Sequence, residues 1–357
     1  MKKSVTLEDI GRVLDLSRST VSRAMNMSSV VKEETRRRVF EKAKALGFRP
    51  NRAARSLVMK KERHVAVVVF SEPAYFWREL RAGVQRAANE LRDYRVHVNY
   101  ISTDIADPEA QNRVLRDLAG HGIDGVAISP NDPQVAARAI DELIDRGIPV
   151  LTVSSDVPES RRLCYVGCDY YRAGRIAGYL LGRLLGGRGK IAVITFSGAV
   201  LSINQRIEGF TDAIGAFADI SVAGHYTLSR TGEETYDFVR RLLLTDPGIN
   251  GLFVSYGVLE QAGRALRDAG MARKVALVGY DLSAQIASLI REGVVDATIC
   301  QEPFNQGYYP VKILSDYLIE KRVPPTKTIS TKLEIVMEEN LVYFENETST
   351  YSMLFDI

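Results

Sequence analysis

From residue 64 onward, short apolar runs alternate with amphipathic segments of helical length. The run from His64 to Phe70 is rich in β-branched residues and predicts a buried strand, and residues 77–91 repeat apolar positions at helical spacing. The alternation recurs, with further strand-like runs at 95–100, 125–128, 149–153, 191–195, 220–224, 251–254 and 275–279. Strands separated by single helices are typical of parallel, doubly wound sheets. Two tandem sets predict two α/β lobes with a cleft between them. Open α/β sheets bind ligands at the carboxyl ends of their strands, so the cleft is a candidate ligand site.

The first 50 residues show only helical periodicity. Thr6 can cap a first helix that ends near Asp15, and Ser17 can cap a second helix after a tight turn. A third, longer helix is expected from about residue 32 to residue 46. The apolar positions that these helices would bury together are Ile10, Val13, Leu14, Val21, Ala24, Met25, Val39, Ala43 and Leu46. Two short helices joined so closely and braced by a third predict a helix-turn-helix.

The charge is divided between these two patterns. Residues 1–63 carry 17 basic and 7 acidic residues, a net charge of +10, whereas the remaining residues carry 30 basic and 37 acidic ones, a net charge of −7. A small, strongly basic segment at one end of a chain is typical of a protein that binds a polyanion. The near-neutral total of +3 therefore hides a basic head on an acidic body.

In a helix-turn-helix, the second helix lies in the major groove and its first residues meet base edges. We therefore expect Arg18 and Ser19 to read bases, since arginine pairs well with the two acceptors of guanine. The residues expected to complete the DNA contacts of the head are Thr6, Ser17, Thr20, Ser22, Arg23 and Asn26. The alternative interpretation is a solvated polar helix face.

Three segments of the head and the residues after it strongly resemble the LacI/GalR family of bacterial transcription regulators. These segments are Val5-Thr6-Leu7-Glu8-Asp9-Ile10, Ser19-Thr20-Val21-Ser22-Arg23-Ala24-Met25-Asn26 and Pro50-Asn51-Arg52-Ala53-Ala54-Arg55-Ser56-Leu57. The resemblance implies a hinge helix from residue 51 to about 58 that forms on operator DNA, with Leu57 as a wedge that kinks the duplex from the minor groove. The hinge contacts it implies are Asn51, Arg52, Ala54 and Leu57. Lys32 departs from the family pattern, which usually has a small capping residue there.

The body resembles the regulatory core of the same family, which is similar to the periplasmic sugar-binding proteins. The implied fold is a small all-α helix-turn-helix head and an α/β core of two doubly wound parallel-sheet lobes. The resemblance implies three crossings between the lobes, near residues 165, 295 and 325. The expected parts are the head (1–50), a hinge helix and linker (51–63), lobe 1 (about 64–164 and 296–325), lobe 2 (about 165–295 and 326–344) and a polar tail (345–357).

Within this core, the resemblance places an effector site between the lobes. Phe76 and Trp77 follow the first strand, where the sugar-binding relatives place aromatic rings against the ligand. Arg206 matches the family's effector-contacting arginine, and Asp281, directly after a buried strand, matches its acceptor for ligand hydroxyl groups. Gln301 matches a glutamine that contacts the ligand in ribose-type binders.

Several of these positions have a purely structural alternative. Phe76 and Trp77 are also what an aromatic core at a helix start would contain, and Arg206 could form a surface salt bridge. Asp132 and Ser155 follow the third and fourth strands and could line the cleft, but Asp132 could equally cap a helix.

Two departures from the sugar-binding relatives bear on the ligand. Ser255 and Tyr256 stand where those relatives commonly have Asn-Asp, so Tyr256 either narrows the pocket or stacks on the ligand. Ser154 and Ser155 stand where some ribose binders carry Asp-Arg. We therefore expect a sugar or polyol of unspecified identity.

No motif predicts catalysis, a cofactor or a metal site. The four histidines are scattered, and Cys164 and Cys168 lack the second pair that a zinc site requires. The glycine-rich segment 186–190 lacks the first glycine and the final Ser or Thr of a phosphate-binding loop. No apolar run reaches the roughly 18 residues that span a bilayer, and the N-terminus has no apolar signal core, so we expect a cytoplasmic protein associated with the nucleoid.

These observations predict a homodimeric transcription regulator, a repressor by the family default, that binds near-palindromic operator DNA under the control of a sugar- or polyol-like effector. The main rival is a solute-binding protein of a sugar transporter, which would share the body but should have an export signal and no basic head. An enzyme of doubly wound fold would need a catalytic cluster that the sequence does not contain.

Overall fold

The computed structural model describes residues 5–25, 31–46, 61–104, 107–196, 200–228 and 232–344. These residues form an all-α head and an α/β core. The helices of the described head are α1 (Leu7–Leu14), α2 (Arg18–Met25) and α3 (Glu33–Ala45). The helices of the core are α4 (Ala74–Leu91), α5 (Pro108–Gly120), α6 (Pro133–Asp145), α7 (Tyr170–Leu184), α8 (Leu201–Ile214), α9 (Gly232–Thr245), α10 (Leu259–Asp268), α11 (Ala284–Arg291) and α12 (Pro303–Glu320).

The core strands build two six-stranded sheets. Their bounds are β1 (Arg63–Phe70), β2 (Val96–Thr103), β3 (Gly125–Ile128), β4 (Val150–Val153), β5 (Tyr165–Gly167), β6 (Arg188–Phe196), β7 (Asp219–Leu228), β8 (Gly251–Val254), β9 (Ala276–Tyr280), β10 (Ala297–Cys300), β11 (Thr328–Ser330) and β12 (Glu334–Val336). The strand order is β11-β5-β4-β3-β1-β2 in lobe 1 and β12-β10-β9-β8-β6-β7 in lobe 2. All pairs are parallel except β10 with β12. The predicted fold class, with two doubly wound lobes, is confirmed.

Both lobes repeat one strand order, and this order locates the cleft. In lobe 1 the chain runs from β1 to β2 on one side and then to β3 on the other, and in lobe 2 β6 lies in the same way between β7 and β8. The order therefore reverses beside β1 and beside β6. Crevices at the carboxyl ends of such strands are where open α/β sheets bind ligands.

The head has the predicted caps. The backbone N–H of Thr6 donates to Asp9 Oδ2 (2.9 Å) and the Asp9 N–H donates back to Thr6 Oγ1 (3.2 Å), so that together they form a capping box. Ser17 Oγ accepts from the Thr20 N–H (3.1 Å) at the start of α2. Lys32, which departs from the family pattern, precedes α3 without a side-chain cap. The helix-turn-helix therefore begins each of its first two helices with a hydroxyl cap.

One predicted core residue of the head is wrong. Val13 is 52% exposed, because α1 turns Ile10 and Gly11 toward the other helices. Gly11 lies so close to the Leu16 carbonyl that a side chain would not fit there, and Val13 lies on the opposite side of the helix. The apolar side chains of the described head that are fully or nearly fully buried are those of Ile10, Val21, Ala24, Val39 and Ala43.

Each of the three crossings between the lobes comes later than the sequence predicted. The expected boundaries 164/165, 295/296 and 325/326 are wrong, because every crossing segment first adds one short strand to the sheet it leaves. β5 pairs with β4 in lobe 1, β10 pairs with β9 in lobe 2, and β11 pairs with β5 in lobe 1. Lobe 1 therefore extends to about residue 167 and lobe 2 to about residue 300. Apolar runs of three or four residues are too short to mark these strands by pattern alone.

Close helix packing in lobe 2 determines the position of a predicted site residue. Helices α7 and α8 touch at Gly174, where an added Cβ would overlap the backbone carbonyl of Arg206. A larger residue at this position would push α8, and Arg206 with it, away from the sheet.

Among the described residues, no helix is both long and apolar enough to cross a membrane.

Candidate functional site

A cavity of about 320 Å³ lies between the two lobes, at the carboxyl ends of their parallel strands. Lobe 1 lines it from the ends of β1, β3 and β4, and lobe 2 lines it from the ends of β6, β8, β9 and β10 and from α8. Seven of the eight predicted effector residues line this one cavity: Phe76, Trp77, Ser155, Arg206, Tyr256, Asp281 and Gln301.

Asp132, the eighth predicted residue, is wrong as a cavity residue. It precedes α6, and its Oδ1 accepts hydrogen bonds from the backbone N–H groups of Gln134 (2.8 Å) and Val135 (3.2 Å). This is the capping role that the sequence left open. The carboxylate satisfies the first turn of α6, where two N–H groups would otherwise have no partner.

Arg206 is at the centre of the polar wall of the cavity. Only 6% of the residue is exposed, so the surface salt bridge considered from sequence is wrong. Its Nη1 donates to the Ser255 carbonyl (2.8 Å) and its Nη2 donates to Gln301 Oε1 (3.0 Å). The guanidinium carbon lies 3.8 Å from the centre of the Tyr280 ring and 4.9 Å from that of Tyr170. Hydrogen bonds and cation–π contacts thus hold this buried cation in one orientation.

Asp281 joins this wall through Gln301. Since Gln301 Oε1 accepts from Arg206, its Nε2 is left to donate, and it donates to Asp281 Oδ1 (2.7 Å). The backbone of Asp281 is held by β10, because its carbonyl accepts from Thr298 Oγ1 (2.6 Å). Among the described residues, no donor reaches Asp281 Oδ2. One carboxylate oxygen is therefore fixed and the other is available to a ligand.

Burial changes the acidity of Asp281. Burial raises its pKa from the ordinary 3.8 to about 6, although Arg206 and the hydrogen bond from Gln301 both act to lower it. At pH 7 the carboxylate is mostly ionised, because this pH is about one unit above its pKa.

The aromatic wall comes from the first turn of α4 in lobe 1. Phe76 and Trp77 meet edge to face with ring centres 4.8 Å apart, and Trp77 meets Phe70 in the same way at 5.3 Å. The Trp77 Nε1–H donates to the Glu72 carbonyl (2.8 Å). Phe76 and Trp77 belong to the apolar core of lobe 1 and also line the cavity.

Lobe 2 adds a second aromatic pair opposite. Phe196, at the end of β6, and Tyr256, after β8, lie with ring centres 5.8 Å apart. Burial raises the pKa of Tyr256, so its hydroxyl stays neutral. Tyr256 therefore lines the cavity as a neutral aromatic side chain.

Sequence reasoning missed other cavity residues. Phe70, Ser129 and Phe196 lie at or directly after strand ends, so a strict search of strand ends would have found them. Gln261 lies on α10, and no local signal distinguishes it. Four lining residues have a buried polar atom without a hydrogen-bond partner: Ser129 Oγ, Ser155 Oγ, Arg206 Nε and Gln261 Oε1. Because buried polar groups are normally paired, these four atoms have hydrogen-bonding capacity that the described residues do not use.

The second candidate site is the outer face of α2 in the head. Val21 and Ala24 are buried beneath it, while Arg18, Ser19 and Arg23 are exposed. Ser17 Oγ lies 2.8 Å from both Ser19 Oγ and Thr20 Oγ1, and Ser22 is half-buried. Thr6 is exposed at the start of α1. The predicted contacts Asn26, Asn51, Arg52, Ala54 and Leu57 lie outside the described residues.

Comparison with known proteins finds matches over both the head and the core. Residues 6–51 match the lacI family of bacterial regulatory proteins, and residues 65–322 match the periplasmic binding protein domain. The chain is 30% identical to the HTH-type transcriptional regulator CelR of Thermobifida fusca, over 78% of this chain and 83% of that protein. It is 25% identical to catabolite control protein A of Priestia megaterium, over 90% of this chain and 94% of that protein.

Among solved structures, the core is similar to GanP, a glucose-galactose binding protein from Geobacillus stearothermophilus. The two share 26% identity with a TM-score of 0.72, over 79% of this chain and 99% of the GanP chain. The similarity spans the core that carries the interlobe cavity.

Proposed function

Because this chain belongs to the lacI family of bacterial regulatory proteins, we propose that it is a homodimeric transcription repressor controlled by a neutral sugar. Its head is a DNA-binding domain and its core binds a small molecule, as in its relatives. The finer elements proposed are the near-palindromic operator, the dimer and the sugar. A regulator that binds the chromosome acts in the cytoplasm, at the nucleoid.

The observation that carries the effector proposal is the pairing of two unlike walls in one cavity. Arg206 offers donors and Asp281 offers an acceptor, and this combination suits neighbouring hydroxyl groups. Phe76 and Trp77 suit the apolar C–H face of a sugar ring. A volume of about 320 Å³ is at the lower end of the roughly 300–1,000 Å³ of small-molecule sites, and supports a ligand of about one sugar ring.

The charges of the cavity support a neutral ligand. Arg206 is already hydrogen-bonded within lobe 2, and the acidic residues Asp281 and Glu72 are among the residues that line the cavity. A phosphate or carboxylate on the ligand would be repelled by these two acids. Sugar phosphates and sugar acids should therefore bind much more weakly than the neutral sugars.

Binding without chemical conversion is proposed for the same site. Burial raises the pKa of the Cys168 thiol, next to Gln301, to about 12, so this thiol is not a nucleophile at neutral pH. Among the described residues, no three His, Cys, Asp or Glu side chains are grouped to hold a metal ion. CelR is a transcriptional regulator by name, and the Priestia megaterium relative is a catabolite control protein by name.

The coupling between the sites follows from the two-lobe architecture. A sugar that contacts both walls favours the arrangement in which the lobes are closed, and it shifts the population toward that arrangement by its differential affinity. If this arrangement changes the spacing of the two heads of a dimer, the ligand and the DNA affect each other's affinity reciprocally.

The DNA interface gives a matched pair of variants. Arg18→Ala should relax base preference at one position of each half-site, whereas Arg23→Ala, which removes an expected phosphate contact, should weaken binding to all sequences alike. Binding to DNA selected from a random pool, measured across salt concentrations, checks both results. Equal base preference in the wild type and Arg18→Ala would contradict the assignment of α2 as the recognition helix.

The effector is tested by thermal denaturation of the full chain with D-glucose, D-galactose and other neutral monosaccharides and polyols, and with their phosphates and acids. At least one neutral compound should raise the melting temperature and change the affinity for the selected DNA. Stabilisation by phosphates or acids alone would overturn the proposed ligand class.

A further inference from the structure

A glycine of lobe 2 lies in close contact with a proline of lobe 1. Gly257 follows β8 in lobe 2, and Pro73 precedes α4 in lobe 1, and both line the cavity. A Cβ added at Gly257 would lie 2.8 Å from the Cβ of Pro73 and closer still to its Cγ, and the Cδ would be 3.0 Å away. Real side chains do not approach so closely, so the contact exists only because residue 257 has no side chain.

Glycine at this position is not required by the backbone. Gly257 is absent from the residues with a positive φ, so an L-amino acid can adopt the same backbone conformation without strain. The three nearest atoms to an added Cβ all belong to the Pro73 ring. The closest conflict of a side chain at position 257 is therefore with lobe 1, where the two lobes meet.

Pro73 carries the whole aromatic wall with it. It begins the turn that contains Tyr75, Phe76 and Trp77, and its carbonyl accepts from the Trp77 N–H (3.4 Å). Tyr75 packs against the apolar cores of both lobes, and its buried hydroxyl has no hydrogen-bond partner. A shift of Pro73 away from Gly257 would therefore withdraw the aromatic wall from Arg206 and Asp281.

We propose that Gly257 is a positioning residue for the effector. By leaving room for the Pro73 ring, it lets the lobes close far enough to bring Phe76 and Trp77 opposite the polar wall. Gly257 acts through Pro73, and any side chain at position 257 holds the cleft open. The inference rests on the proposed function only in naming the ligand as the effector, because the contact itself is between protein atoms.

Trp77 provides a built-in measurement of this closure. It is the only tryptophan of the chain, and it is 6% exposed in the closed cavity. Quenching of its fluorescence by acrylamide in the full-length, ligand-free protein reports how far it is open to solvent. The variants are Gly257→Ala, Pro73→Gly and their combination. Gly120→Ala is the matched control, because no atom lies within 4 Å of a Cβ there and the backbone is not left-handed.

Gly257→Ala should lower the closed-to-open equilibrium constant by about tenfold, as overpacking of a tight contact does, and should make Trp77 markedly easier to quench. In Gly120→Ala, acrylamide should quench the fluorescence of Trp77 to the same extent as in the wild type. Pro73→Gly removes the three atoms that lie nearest to the new methyl group, so adding Gly257→Ala in that background should cause little further change. This rescue separates a steric role between lobes from a local effect on lobe 2. A cooperative melting transition for each variant verifies that it is folded.

Two results would overturn the proposal. One is quenching of Gly257→Ala equal to that of the wild type, and the other is an equal increase in both backgrounds. Neither depends on a sugar, so the fluorescence result and the sugar screen fail independently. If no sugar stabilises the wild type but the quenching pattern holds, only the proposed effector is wrong.

Discussion

The two walls of the cavity are held in different ways. Arg206, Asp281 and Gln301 all belong to lobe 2, and hydrogen bonds within that lobe fix them to one another. Phe76 and Trp77 belong to lobe 1, and only contact between the lobes places them opposite. The polar wall is therefore preorganised, whereas the aromatic wall is completed by closure.

This difference divides the work of recognition. A preorganised polar wall determines which hydroxyl groups are accepted, since its donors and acceptor do not have to be ordered on binding. Because the aromatic wall reaches the ligand only when the lobes close, it determines whether binding changes the shape of the core. A ligand that touched only the polar wall would bind both arrangements equally and would shift neither.

Loss of Arg206 should have the largest effect, because it breaks the polar wall itself. Arg206→Ala leaves the Ser255 carbonyl and Gln301 Oε1 buried without their donor, and should lower the free energy of unfolding by about 3 kcal/mol. Urea denaturation measures this, and Arg138→Ala, at an exposed arginine of α6, is the control, with a change within about 0.5 kcal/mol. A loss under about 1 kcal/mol for Arg206→Ala would mean that the wall does not depend on this residue.

Asp281→Asn should separate stability from binding. Since the folded-state pKa of Asp281 is about 6, above its ordinary 3.8, the protonated form is favoured by folding. Its contribution to stability is present below pH 4 and is lost as the pH rises through 6. At pH 8 the variant, which has no charge to bury, should be more stable than the wild type by about 2 kcal/mol, and the gap should close at pH 4.

The same Asp281→Asn variant should no longer be stabilised by the sugar, because the ionised acceptor is gone. Denaturation curves at pH 4, 6 and 8, with and without the sugar found by screening, test both halves. A stability gap that is the same at pH 4 and pH 8 would contradict the role given to the buried charge.

Trp77→Leu should weaken the aromatic wall and leave the polar wall intact. Sugar affinity should fall about tenfold, because a flat ring surface is replaced by a smaller side chain. The pH dependence of binding should not change: in both proteins affinity should decline as the pH falls through about 6 and Asp281 is protonated. Titration calorimetry from pH 5 to pH 8 checks both statements. A shifted pH profile in Trp77→Leu would show that the two walls are not independent.

The parts of the fold and of the cavity that could be predicted from the sequence are those that leave a local pattern in the chain. Hydrophobic periodicity located the helices of the head and the long strands of both sheets, whereas the family resemblance located most of the predicted cavity residues. The lobe boundaries were wrong because β5, β10 and β11 are too short to show a period. Asp132 was ambiguous because a cap and a strand-end ligand residue look alike in sequence.

The hydrogen bonds that join Arg206, Gln301 and Asp281 could not be predicted without the resemblance to the LacI/GalR family. Arg206 and Gln301 are 95 residues apart, and which atom of the Gln301 amide faces Arg206 depends on the fold. The contact between Gly257 and Pro73 is of the same kind, since it depends on how two lobes meet and not on any local pattern.

The smallest expected effects come from two buried hydroxyl groups, one without a hydrogen-bond partner and one with a partner. Ser129→Ala, in lobe 1, removes a hydroxyl with no hydrogen bond, so the stability of the ligand-free protein should change by less than about 0.5 kcal/mol. Sugar affinity should fall by about threefold if the ligand is the missing partner. Thr298→Val, in lobe 2, removes a hydroxyl bonded to the Asp281 carbonyl, and should cost about 1 kcal/mol of stability without any ligand present. Unchanged sugar affinity in Ser129→Ala would leave that hydroxyl with no role in sugar binding.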